Sequence, residues 1–226
     1  MAIDATIRTA ASRGHSGSGD NAIDVRPDDV RNKVRTRRVA ASIVFAVDGS
    51  GSMGAASRMQ AAKAAIMKLL VDAYQRRDRV GLVSFRGEGA EVLLAPTSSV
   101  ELANLKLRTL PTGGATPLAA GIRQALELLA AETRRDAKTV PWLVLVTDGR
   151  ANVGLKGGLG SEDAKVMAVH SKEQGVHMLV VDTSPPASAG ASARELARLA
   201  GADYVRLPSD DGESMAGAVR ERLEAV

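Results

Sequence analysis

The chain has 226 residues, 45% of them apolar but only 2% aromatic, and a formal charge of +4. That length fits one globular domain with an extension, and the core has to be built from Leu, Val, Ile and Ala. The absence of Cys excludes disulfides and Cys-ligated zinc or iron–sulfur sites, and no run is long and apolar enough to span a membrane.

Residues 1–38 carry eight Lys/Arg against five Asp/Glu, so most of the net charge lies there. Met1 to Ala11 includes Asp4 and Arg8 and has no continuous apolar stretch, which does not read as a signal peptide. A cytoplasmic location is the default expectation. Ile3 to Thr9 is a short ordered piece, and the Gly/Ser-rich Ser12–Asp20 predicts a mobile loop. The basic run Arg31–Arg38 lacks interleaved aromatics, so it reads as a solvated approach rather than a nucleic-acid surface. The expected division is an extension with a flexible basic linker over 1–38 and a folded domain over 39–226.

Ala40–Val47 is nearly continuously apolar, as in a parallel strand covered on both sides. Ser57–Tyr74 predicts a helix, with Met59, Ala62, Ile66, Leu69 and Ala73 at helical spacing. Val80–Phe85 and Ala90–Ala95 predict a hairpin around Arg86-Gly-Glu-Gly89. Helices follow at Val100–Leu107 and Pro117–Ala131, the latter with Leu118, Ile122, Leu126 and Leu129 on one face and Pro117 in its first turn. The remaining elements are strands at Trp142–Val146, Val176–Val181 and Asp203–Arg206, and helices at Glu162–Gln174, Ala193–Ala200 and Ser214–Leu223. Such alternation predicts an α/β fold with a mostly parallel sheet and helices on both faces. Ligands of such folds bind beyond the carboxyl ends of the strands.

Asp48 and Asp148 both fall at those ends. In Asp48-Gly-Ser-Gly-Ser52 one carboxylate and two hydroxyls alternate, so Asp48, Ser50 and Ser52 can point at one centre while glycines keep the backbone tight. Thr116 in Gly113-Gly-Ala-Thr-Pro117 adds a hydroxyl, and Thr147-Asp-Gly149 a second carboxylate. Oxygen donors without His or Cys suit Mg²⁺, which keeps several waters and leaves a place for a partner's acid. The competing reading is a set of ordinary turns whose polar side chains bond only their own backbone. Gly49-Ser-Gly-Ser-Met-Gly54 also matches a dinucleotide fingerprint, but Asp48 would face the pyrophosphate and the second strand ends in Ser84-Phe85-Arg86 rather than an acid for ribose. The phosphate-binding pattern G-x-x-x-x-G-K-[ST] is absent, so the chain is not expected to be a P-loop ATPase. Arg150 and Asn152 lie on the rim beside Asp148, to touch a partner or to fix the loop; Arg86 and Glu88 sit in the hairpin turn. His15, His170 and His177 are scattered and read as structural or solvated.

These motifs resemble a family. Val44–Met53, Leu110–Leu118 and Leu145–Asn152 look like a von Willebrand factor A (integrin I-type) domain with a metal-ion-dependent adhesion site. Arg58–Ala65, Asp72–Val80, Phe85–Leu94, Val181–Thr183 and even Ile3–Ala11 resemble the C-terminal domain of the D subunit of magnesium chelatase and related cobalt chelatases. The resemblance implies a three-layer, Rossmann-like α/β domain with a mostly parallel central sheet and one antiparallel edge strand. It also implies Mg²⁺ (Mn²⁺ as a substitute) on Asp48, Ser50, Ser52, Thr116 and Asp148, and no catalytic residues. Implied partners are an ATP-hydrolysing AAA+ I subunit and a porphyrin-binding H subunit, with docking through a partner's acid rather than through nucleic acid or a membrane. The process served would be insertion of Mg²⁺ into protoporphyrin IX, or of cobalt in the cobalamin route. Position 49, commonly Ala in these chelatases, is Gly here, which is expected to loosen the loop without removing a ligand. The AAA+ module and acidic, proline-rich linker of a full D subunit are not in this sequence, which reads as an excised domain or a stand-alone relative. The alternative function is a free-standing interaction or AAA+-adaptor module with another client.

Overall fold

The computed structural model describes residues 3–12, 25–31, 40–51, 56–185 and 190–207. Ser52, nearly all of the predicted mobile loop and of the basic run, His15 and the closing helix Ser214–Leu223 lie outside them. The chain divides into two units, 1–38 and 39–226. In the first, helix α1 (Ile3–Ser12) buries Thr6 and Ala10, and the Thr6 hydroxyl accepts from the Arg31 N–H at 3.0 Å. A short 3₁₀ turn, Pro27–Asp29, which the sequence reading did not anticipate, buries Asp29, whose carboxylate accepts from the Arg26 N–H at 2.8 Å.

The second unit is built on a six-stranded sheet of order β3-β2-β1-β4-β5-β6, with β1 Ala41–Asp48, β2 Arg79–Arg86, β3 Gly89–Thr97, β4 Val140–Thr147, β5 His177–Asp182 and β6 Asp203–Arg206. All neighbours pair parallel except β2 with β3. The expected α/β architecture, a mostly parallel sheet with one antiparallel edge, is what the chain forms. Period-two alternation between two covered faces explains why β1 is apolar from Ile43 to Val47. Ile43, Phe45 and Val47 enter a core with Met59, Ile66 and Leu69, while Val44 and Ala46 enter the opposite core with Ile122, Leu126 and Leu129. Helices α2 (Ala56–Arg76) and α3 (Val100–Arg108) serve the first core; α4 (Leu118–Arg135), α5 (Gly160–Glu173) and α6 (Ala191–Ala200) serve the second. The predicted apolar faces of α2 and α4 are buried at every named position.

Element ends depart from expectation for local reasons. β3 runs to Thr97 through two register irregularities, and Pro96 is tolerated because β3 is an edge strand. Pro117 is the residue before α4 rather than its first turn, and its carbonyl takes the Gly121 N–H. A second unanticipated 3₁₀ turn, Leu155–Gly157, forms because Asp163 of α5 accepts from the Leu155 N–H at 2.6 Å. His177 opens β5 and stacks on Trp142, ring centroids 5.0 Å apart.

Gly121 lets α4 lie directly on the ring of Phe85, a fully buried residue. A Cβ at that position would stand 2.6 Å from Phe85 Cγ. Gly121→Ala is expected to lower stability by about 2 kcal/mol, overpacking exceeding the gain in helix propensity. Urea midpoints would show this, and an unchanged or raised midpoint would contradict the close approach.

Chain reversal places the topological switch point between β1 and β4. From β1 the chain moves to β2 on one side; from β4 it moves to β5 on the other. The carboxyl ends of these two central strands carry Asp48 and, one residue past β4, Asp148.

Candidate metal centre

Four loops meet over that switch point and are joined by backbone hydrogen bonds. The Gly49 N–H donates to Phe85 O (3.0 Å), Gly113 N–H to Gly49 O (2.7 Å) and Gly51 N–H to Gly114 O (2.9 Å). The Gly87 N–H donates to Ala115 O (2.9 Å) and the Asn152 N–H to Thr116 O (3.2 Å). Gly113 and Gly114 have φ of +120° and +89°, a backbone that a side chain would strain. Gly49 does not loosen its loop. Both its backbone groups are bonded, and a Cβ there would stand 2.9 Å from Pro111 O and 3.1 Å from Ser84 Oγ. Glycine is the residue that lets these two neighbours close in.

Asp48 is fully buried. One carboxylate oxygen accepts from the Ser50 N–H (2.9 Å), the other from the Thr147 hydroxyl (3.0 Å). The Thr147 hydroxyl in turn accepts from the Gly149 N–H (3.1 Å). Burial pushes the Asp48 carboxyl up to about 6, against the Ser50 and Thr147 hydrogen bonds that favour the anion, and Asp148 pushes the same way as burial. Asp148 is also buried. Its Oδ1 accepts from the Arg150 N–H at 3.0 Å, but among the described residues its Oδ2 has no hydrogen-bond partner. The nearest cation among the described residues, Arg150 Nε, is 3.6 Å away, beyond hydrogen-bond range.

Ser50 and Thr116 are buried beside these loops. Asn152 turns its carbonyl oxygen to the Thr116 N–H at 2.6 Å, so it holds the Thr116 loop in place. Arg86 and Glu88 are exposed, and the Arg86 Cδ lies 3.4 Å from where a Gly49 Cβ would be. The sequence reading missed Thr147 as the residue fixing Asp48, although its place at the end of an apolar strand, directly before Asp148, was visible. It also missed Ser84, whose buried hydroxyl is without a partner among the described residues at the Gly49 loop.

Chemically, two buried carboxylates with one oxygen lacking a donor form an unfavourable arrangement that a cation would relieve. Among the described residues no group of three or more His, Cys, Asp or Glu could hold a metal. Two carboxylates with hydroxyl donors are a different donor set, all oxygen, and fit a hard divalent ion. No helix of the described residues is long and apolar enough to cross a membrane.

The model of the von Willebrand factor type A domain matches residues 43–150. The chain is 39% identical to the "Magnesium-chelatase 67 kDa subunit" of Heliobacterium mobile, the match covering all of this chain and 35% of that protein. It is 41% identical to an uncharacterised protein of Methanocaldococcus jannaschii, over 59% of this chain and 76% of that protein. Among solved structures it is similar to a von Willebrand factor type A structure from Catenulispora acidiphila (TM-score 0.58, 20% identity), covering 81% of this chain and 42% of that one. The chain spans about a third of the length of the magnesium-chelatase subunit it matches.

Proposed function

We propose, from the match of residues 43–150 to the von Willebrand factor type A domain and from the likeness to magnesium-chelatase subunits, that the chain is a docking module that binds a partner's acid through Mg²⁺. In this reading residues 39–226 form the docking domain and 1–38 its extension. Asp48, Ser50, Ser52, Thr116 and Asp148 would hold the ion, Mn²⁺ being able to substitute. A bound ion would offer an electropositive anchor to a carboxylate oxygen from another protein. The chain's own residues do the rest. Thr147 and Ser50 orient Asp48, Asn152 places the Thr116 loop, and Asp148 supplies an oxygen free of other donors. That donor-free oxygen, buried next to a second carboxylate, is the observation that carries the reading.

The assembly served would be an ATP-dependent tetrapyrrole metal chelatase, with an AAA+ ATPase subunit and a porphyrin-binding subunit as partners, in the cytoplasm. The chain itself would contribute docking and no chemistry. Its likeness to magnesium-chelatase subunits supports this client over a stand-alone adaptor role. Candidate ATPase and porphyrin-binding subunits are expected to be captured by the full chain in Mg²⁺ and released by chelator. Asp48→Ala and Thr116→Ala should each weaken capture at least tenfold while the circular dichroism spectrum is kept, by loss of a ligand worth more than about 1.4 kcal/mol. Capture unchanged by chelator, or as strong in both variants as in the unaltered chain, would rule out docking through the ion.

A further inference from the structure

We infer that Arg86 and Arg150 make this rim a reader of paired carboxylates in an extended peptide segment of the partner, Arg150 being released from Asp148 as the cation enters. This rests on the docking role proposed above and specifies its partner.

The arginines of the carboxyl edge differ in how they are held. Arg194 lies over the Tyr204 ring, 5.2 Å from its centre, and Arg206 donates to the Pro185 carbonyl at 2.9 Å. Arg86 is exposed and makes no ion pair among the described residues. Among the described residues Arg150 is hydrogen-bonded through its backbone alone: its N–H is bound to Asp148, its side chain is 68% exposed, and its Nε stands 3.6 Å from the Asp148 oxygen that lacks a donor there. At that separation the guanidinium is a counter-ion without a hydrogen bond. A divalent ion drawing on the same oxygen competes with it directly and leaves the guanidinium to solvent or to a ligand.

Position and charge then define the ligand. β2, which ends in Arg86, and β4, which leads to Arg150, flank β1 with its terminal Asp48. Adjacent strands are about 4.8 Å apart, so the two backbones lie about 10 Å apart with the ion site between them. An extended peptide places alternate residues about 7 Å apart. With one carboxylate on the ion, a second acid two residues away falls within reach of a flanking arginine. The two site carboxylates balance a divalent ion, leaving two guanidinium charges for two incoming carboxylates. Asp182 does not offset them, being buried and bound by the Ser184 N–H and the Tyr204 hydroxyl; the exposed Glu88 of the hairpin turn offsets at most one of the two charges. Arg favours such recognition because its planar fork binds carboxylates in bidentate fashion.

The test uses the full chain, first titrated with Mg²⁺ alone by calorimetry. It is then titrated, at saturating Mg²⁺, with the peptides acetyl-Gly-Glu-Gly-Glu-Gly-amide and acetyl-Gly-Glu-Gly-Gln-Gly-amide. Arg150→Gln is expected to tighten Mg²⁺ binding about threefold by removing the competing cation, and to cut the preference for the two-acid peptide about fivefold. Arg86→Gln should cut that preference similarly and leave Mg²⁺ affinity unchanged. If the unaltered chain binds Mg²⁺ but takes both peptides equally, or if neither variant changes the preference, the paired-acid reading is overturned while the metal site stands. If the unaltered chain binds no Mg²⁺, the docking reading beneath it fails instead.

Discussion

In chelator, the chain is expected to lose stability as the pH rises from about 4 to about 6, and Mg²⁺ is expected to restore it above that range. The cause is Asp48. Its ordinary value of 3.8 is pushed up to about 6 in the folded protein, chiefly by burial. Between those two values the folded chain keeps a proton that the unfolded chain has released, so folding is progressively disfavoured as pH increases. Below 3.8 both states are protonated and the penalty vanishes; above about 6 it is complete, at about 3 kcal/mol. A divalent ion on the carboxylate removes the reason for the penalty and adds stabilisation that grows with its concentration. Asp48→Asn should therefore be more stable than the unaltered chain at pH 7.5 in chelator, by up to about 3 kcal/mol, and gain nothing from Mg²⁺. Urea midpoints at pH 5 and 7.5, with and without Mg²⁺, separate the cases. Parallel pH profiles for the two chains would show that Asp48 is not held in a strained anionic state.

The framework around Asp48 was partly visible in the sequence. The apolar run into Asp48 signals a strand covered on both faces, and Phe45 and Val44 do enter opposite cores. The apolar positions of α2 and α4 follow from their spacing alone. Local patterning of this kind is written in consecutive residues. The linkage of Thr116 to Asn152 is not, because it joins side chain and backbone across two loops with no shared period. Thr147 has the same difficulty: its value lies in bonding a carboxylate ninety-nine residues away. Gly49 is the instructive case. Taken alone, a glycine in place of alanine suggests slack; beside Pro111 and Ser84 it is the small residue that closes the loop down. Asp163 similarly looks like a first-turn helix acid, yet it captures the Leu155 N–H and folds the connection after Asn152 into a turn.

Gly149 packs the site's loop against the first turn of α6, and substituting it is expected to have the second large effect. Its φ is +79°, and a Cβ there would stand 2.5 Å from the Ala193 N and 3.0 Å from Ser192 Cβ, in the first turn of α6. Alanine therefore meets both a disfavoured backbone and a helix that cannot be entered, and one of the two must yield. The backbone penalty is about 1–2 kcal/mol and the overpacking another 1–3 kcal/mol, so Gly149→Ala should lower stability by about 3 kcal/mol. If the loop yields, the Gly149 N–H leaves the Thr147 hydroxyl, the partner that orients Asp48. If α6 yields, its buried Leu196 and Ala197 leave the second core. The two routes differ in what Mg²⁺ does. Loop movement weakens the ion's effect on the urea midpoint, whereas helix movement leaves that effect intact on a less stable protein. Measuring the midpoint with and without Mg²⁺ in this variant decides between them, and an unaltered midpoint in chelator would show that α6 does not press on the Asp148 loop.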